Sequence, residues 1–129
     1  MTTSLCAGML RTTPGSLIVT VFMEVGSRHQ AAHGVAYSVA KAADDRLALA
    51  VAAARSADGV ASIALYPGLV RTEGVMQFAE HLDLAGSESP QGVGRVVAAP
   101  SADDEVMALT GRPLTVKDLG RRYAIDPAT

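Results

Sequence analysis

The chain has 129 residues, 49% of them hydrophobic and 19% charged, with a formal net charge of −2; that is one domain's worth, apolar enough to build a core. Aromatic residues make up 4% and tryptophan is absent, while the 11 lysines and arginines are scattered, so neither a base-stacking surface nor a patch for a phosphate backbone or an anionic membrane is expected. The single cysteine, Cys6, cannot close an intrachain disulfide and reads as a small buried hydrophobe, which points to a reducing cytoplasm.

Residues 3 to 11, TSLCAGMLR, read as the tail of a helix that lacks a beginning, and TPGS breaks it. SLIVTVF, residues 16 to 22, is a continuous β-rich run. Its lack of alternation predicts a strand buried on both faces, as in a parallel sheet. It lacks the basic flank and small-residue cleavage site of a signal peptide, and it is too short to cross a bilayer. MEVGSRHQAAHG then forms a polar loop. From Ala36 to Ala57 the pattern is helical, with Val39, Ala43, Leu47, Val51 and Ala54 as an apolar stripe and Gly59 placed to stop it.

VASIALY, residues 60 to 66, is the next buried strand, ended by Pro67-Gly68. EGVMQFAEHLDL reads as helical and AGSESPQG as a loop. Ser89-Pro90 predicts a helix start, a cap residue followed by proline in the first turn, and Pro100 should end or kink that helix. DDEVMALTG is a short helix closed by Gly111, RPLTV a third strand, and KDLGRRY a last helical turn or two. This rhythm of strand and helix predicts an α/β fold with about three parallel strands and flanking helices. Three strands make a thin sheet, and the leading one has an apolar edge with no partner of its own. The chain therefore looks like half of a larger unit.

Tyr37 and Lys41 stand four apart, on one face of the predicted helix. A phenol is a poor acid-base group at neutral pH, and a neighbouring ammonium favours its ionised form, so the pair suits proton transfer. The spacing alone arises often by chance, and a half-buried tyrosine beside a snorkelling lysine is the plain alternative. Context adds weight: the pair opens a helix after a buried strand and a loop, and the following strand runs into YPGLVRTEG.

This order resembles the C-terminal half of the short-chain dehydrogenase/reductase family over nearly the whole chain. SPQGVGRVVAA and MALTGRPLTVKDLGRRY are similar to the tail of a bacterial subgroup of that family. The resemblance implies part of a Rossmann-like doubly wound sheet and an NAD- or NADP-dependent oxidoreductase acting on an alcohol or carbonyl of a small molecule. It implies Tyr37 as general acid/base and Lys41 as the residue that binds the nicotinamide ribose and favours the phenolate. Pro67, Gly68, Val70 and Thr72 would lie along the nicotinamide carboxamide. A homo-oligomer is implied for the full-length form.

Two departures from the family pattern stand out. The position of the family's catalytic serine falls on Glu24, leaving Ser27, His29 or His33 to supply a donor from the loop. His29 and His33 are also four apart, but no third ligand is evident and no metal site is expected. The family's N-terminal half, with its Gly-rich pyrophosphate turn, has no counterpart, so residues 1–129 read as a single partial domain and Met1 as an internal start, the start of a truncated gene model or the start of a fragment. The alternative function is a non-catalytic interaction or dimerisation module, with the helix of Tyr37 and Lys41 as its contact face. For the stripe from Val39 to Ala54, packing on the chain's own sheet is the expected use. Residues 73 to 90 correspond to the family's variable substrate-side loop, where Met, Phe and Leu suggest an apolar substrate or, equally, an ordinary helix-packing face.

Overall fold

A computed structural model describes residues 15–22 and 34–129. Three strands, β1 (Leu17–Val21), β2 (Ala61–Tyr66) and β3 (Pro113–Thr115), form one sheet in the order β1-β2-β3. Both pairings are parallel: Leu17 lies opposite Ala61, Val21 opposite Leu65, and Tyr66 opposite Thr115. The helices are α1 (Gly34–Arg55), α2 (Glu73–Met76), α3 (Pro90–Ala98) and α4 (Val116–Arg122).

The period of two along β2 divides the molecule into layers. Ala61, Ile63 and Leu65 point to one face, where Val96 of α3, Val106, Leu109, and Val116 and Leu119 of α4 close over them. Ile63 and Leu65 are wholly buried there, each stabilising the fold by roughly 2 kcal/mol. Ser62, Ala64 and Tyr66 point to the other face, under α1, where Ala64 packs with Phe22 and Ala48. Helices thus cover both faces of a parallel sheet, the doubly wound arrangement the sequence predicts. Ser62 is buried yet fully bonded. Its hydroxyl donates to the Ala48 carbonyl at 3.0 Å, its N–H donates to Thr110 Oγ1 at 2.9 Å, and its carbonyl accepts from Gly111 N–H at 2.9 Å.

The sequence-based expectation fails in three places. Most of the stripe Val39, Ala43, Leu47, Val51 and Ala54 does not face the sheet: Val39 and Leu47 are 63% and 49% exposed, Ala43 and Ala54 are exposed as well, and Val51 alone of the five is half-buried. The inner face is Ala48 and Ala52, whose short side chains let the helix settle close to β2. Second, β1 is only partly buried, because among the described residues it is an edge strand paired with β2 alone. Third, residues 73 to 84 are not one helix. The four residues of α2 are followed by a 3₁₀ turn, Ala79–His81, and neither piece buries a side chain, so no apolar face offsets the cost of propagating the helix. Residues 103 to 111 likewise close as a 3₁₀ turn, Val106–Leu109, which aims Val106 and Leu109 into the core from one side.

The helix ends follow local chemistry. α1 passes into a 3₁₀ turn that stops at Gly59, in the left-handed region at φ 74°. Ser89 caps α3, its Oγ accepting from Gly92 N–H at 2.8 Å, with Pro90 in the first turn. The segment 125–129 returns across α3 and α4. A Cβ on Gly92 would run into the Pro127 main chain, and one on Gly120 would lie 2.6 Å from the Ile125 carbonyl oxygen. The two glycines are what let the tail lie flat.

Candidate active site

Parallel sheets collect functional groups beyond the carboxyl ends of their strands. Here Phe22, immediately after β1, is 2% exposed and meets the Tyr66 ring edge-on, with centroids 4.5 Å apart and planes at 81°. The Tyr66 hydroxyl donates to Asp45 Oδ1 on α1 at 2.7 Å. One tyrosine therefore joins both strand ends to the helix, in the rotation at which Ala48 and Ala52 face the sheet.

That rotation matters because Asp45, Lys41 and Tyr37 follow each other at intervals of four, on one face of α1. With Asp45 fixed beside the end of β2, Lys41 and Tyr37 are carried on toward the carboxyl edge of the sheet. The Lys41 ammonium lies 6.0 Å from the centre of the Tyr37 ring and 3.3 Å from the Asp44 carboxylate. Tyr37 is 41% exposed. The arrangement offers a proton donor next to a cation, in reach of solvent.

The second group follows Tyr66 directly. Pro67 and Gly68 turn the chain, and Gly68 is exposed; its N–H donates to Glu88 Oε2 at 3.0 Å. Among the described residues, a Cβ on Gly68 would touch only the Glu88 carboxyl, at 3.5 Å or more, which leaves room for the backbone to approach a flat group. Val70 forms an isolated parallel bridge with Glu88: Glu88 N–H donates to the Leu69 carbonyl at 2.8 Å, and Arg71 N–H to the Glu88 carbonyl at 2.9 Å. The Arg71 guanidinium donates to the Ser87 carbonyl and Oγ at 2.8 and 2.7 Å. Thr72 caps α2, its Oγ1 accepting from Val75 N–H at 3.3 Å, and its own hydroxyl proton remains to be donated.

Tyr37 and Lys41 thus come together on α1, and Pro67, Gly68, Val70 and Thr72 on the segment leaving β2, with Tyr66 between the two groups. Glu24, Ser27, His29, His33 and Cys6 lie outside the described residues, as does the helix tail at residues 3 to 11. Sequence reasoning missed Asp45, although its spacing from Lys41 is the spacing of Lys41 from Tyr37. It also missed Glu88, which gives no local signal. Glu88 is 1% exposed, and burial pushes its carboxyl above the ordinary value, against the Gly68 N–H and the Lys117 ammonium. Among the described residues, no group of three or more His, Cys, Asp or Glu is placed to hold a metal ion, and no helix is long and apolar enough to cross a membrane.

No family model matches the chain. The mouse protein Dehydrogenase/reductase SDR family member 1 is 36% identical over 122 residues, which is 84% of this chain. Its human counterpart of the same name is 29% identical over 124 residues, 86% of this chain. The chain spans only 38% and 39% of the lengths of these two relatives. Among solved structures, a candidate dehydrogenase from Xanthomonas campestris superposes with a TM-score of 0.73 at 23% identity, covering 95% of this chain and 45% of the other. A short-chain type dehydrogenase/reductase from Mycobacterium ulcerans gives 0.67 at 22% identity, covering 88% and 44%. The two structures carry the fold and the two mammalian relatives the sequence; together they show that the chain corresponds to the C-terminal part of a short-chain dehydrogenase/reductase.

Proposed function

We propose that the chain carries the catalytic part of an NAD- or NADP-dependent oxidoreductase that interconverts an alcohol and a carbonyl on a small molecule in the cytoplasm. The observation that carries this reading is the common face of Tyr37, Lys41 and Asp45, tied through Tyr66 to the Pro67-Gly68 turn. The residues present suit a nicotinamide nucleotide: an ammonium for ribose hydroxyls, the Thr72 hydroxyl for a carboxamide, and an open face at Gly68 for a flat ring. Such a cofactor, when bound, supplies or accepts the hydride. Tyr37 then donates a proton to the substrate oxygen during reduction, or takes it during oxidation. Lys41 holds the ribose, exchanging its Asp44 contact for the sugar hydroxyls, and its charge favours the tyrosinate. Pro67, Gly68, Val70 and Thr72 orient the carboxamide. Met76 and Phe78, 45% and 60% exposed on the segment after this turn, favour an apolar substrate.

The test is calorimetric titration of the 129-residue chain with NADH and NADPH, followed by assay of alcohol and carbonyl substrates. Saturable binding of one nucleotide would support the reading. Lys41→Met should weaken it about tenfold, the loss of a hydrogen bond to a charged group. Tyr37→Phe should leave binding intact and lower turnover by roughly 10²- to 10⁴-fold. If neither nucleotide binds, the reading fails for this chain.

A second reading, a non-catalytic interaction module, is favoured by the apolar outer face of α1. Val35, Val39 and Leu47, at 81%, 63% and 49% exposed, lie on one side of that helix at intervals of four and eight.

A further inference from the structure

We propose that Glu88 is the positioning residue of the candidate nicotinamide site: its buried side chain, rather than general packing, fixes the Pro67-Gly68 turn in the shape that would meet the ring. The inference rests on the oxidoreductase reading for what the turn meets, and on geometry alone for how the turn is held.

Glu88 makes three hydrogen bonds into four consecutive residues. Its main chain accounts for two, to Leu69 and Arg71, through the short parallel bridge. The third comes from its side chain, which turns back along the segment to accept from Gly68 N–H at 3.0 Å. The bridge would align residues 69 to 71 whatever side chain stood at position 88. Only the carboxyl reaches Gly68, one residue beyond the bridge, where the chain leaves β2.

Two further features mark the carboxyl as placed for this contact. A glutamate is almost never fully buried unless paired, yet Glu88 is 1% exposed, and its burial raises the carboxyl's affinity for a proton. Gly68 is itself exposed, and the atoms nearest to where its Cβ would stand are those of the Glu88 carboxyl. Among the described residues, no other atom outside the chain neighbours lies within 4 Å of that position. A glycine without such a tether would sample the wide range of backbone angles open to it, and an interaction made by its segment with a ligand would carry the cost of ordering it.

The experiment is amide hydrogen exchange by NMR on the unliganded 129-residue chain, comparing the parent with Glu88→Gln and Glu88→Met. Glutamine keeps an acceptor oxygen at the same reach. Methionine keeps length and bulk but accepts no comparable hydrogen bond. In the methionine variant Gly68 should exchange at least about tenfold faster, the loss expected for a hydrogen bond to a charged acceptor, while the core amides of Ile63 and Leu65 keep their rates. In the glutamine variant most of the Gly68 protection should return. The same variants, titrated with whichever nicotinamide nucleotide the parent binds, should show weaker binding for methionine and near-parent binding for glutamine. Unchanged Gly68 exchange in Glu88→Met would overturn the proposal, as would a rise shared equally by Gly68, Ile63 and Leu65 in both variants. If the parent binds no nucleotide, the oxidoreductase reading falls, and the exchange rates still decide what Glu88 does to the turn.

Discussion

Tyr66 is used at both ends, its ring against Phe22 and its hydroxyl on Asp45. Tyr66→Phe should keep the ring contact and lose the hydrogen bond, lowering the unfolding free energy in urea by about 1 kcal/mol. Two carboxyls elsewhere respond to pH with opposite signs. Asp103 accepts from the Tyr123 hydroxyl at 2.6 Å and pairs with Arg122; the Tyr123 bond first, then the Glu105 N–H and Arg122, hold it below the ordinary value. The native state thus binds fewer protons there than the unfolded chain, and the stability Asp103 contributes is lost as pH falls through its folded value. Glu88 is raised by burial, so its contribution is present below the ordinary glutamate value and lost as pH rises through the folded one. Urea unfolding across pH should show Asp103→Asn flattening the acid-side loss and Glu88→Gln removing the fall on the other side.

Elements whose ends rest on local chemistry were legible in the sequence, and α3 is the clearest of them. Its Ser89 cap and Pro90 first turn need no distant partner. Ser89→Ala should cost about 1 kcal/mol. Two glycines on the same helix separate local propensity from tertiary contact. Gly94 has open space where a Cβ would stand, so Gly94→Ala should stabilise by about 0.5–1 kcal/mol. Gly92 lies under Pro127, so Gly92→Ala should destabilise, by roughly 1–3 kcal/mol; thermal unfolding of the pair reads both signs at once. The rotation of α1 was not legible, because the contacts that go with it, Ala48 on the sheet and Asp45 on Tyr66, join residues distant in sequence. The fate of residues 73 to 84 was hidden for a related reason: their periodic Val, Met and Phe suggest a helix, but neither helical piece there buries a side chain. Of the candidate site, Tyr37, Lys41 and the Pro-Gly segment were readable as spacing and order. Glu88 was not, since a glutamate in a polar loop looks solvated until the bridge to Val70 encloses it.

At the scale of the molecule, two apolar surfaces stand out: the outer face of α1 and the partly covered strand β1. The fold of the sheet was readable because its strands follow each other in chain order, each parallel to the last. What covers α1 was not, because its apolar stripe satisfies a helix-packing pattern whichever way it turns. If the stripe joins two copies of this chain, Leu47→Lys should shift the mass seen by light scattering from dimer to monomer. Because Leu47 is 49% exposed, the same change in a monomer should move the unfolding free energy by no more than about 0.5 kcal/mol. A dimer that survives the change would place the interface elsewhere.

The returning segment 125–129 has a consequence for anyone who handles the protein. Arg71 reaches from the turn region to the Ala128 carbonyl, while Ser89 and Arg95 bond the Thr129 oxygens. The last residues therefore act as a latch on the wall of the candidate site, while Ile125 at the start of the segment packs against the core. Removing Ala128 and Thr129 from the 129-residue chain would unfasten Arg71, Ser89 and Arg95 together, so a preparation mixing trimmed and untrimmed chains would be heterogeneous beside the candidate site.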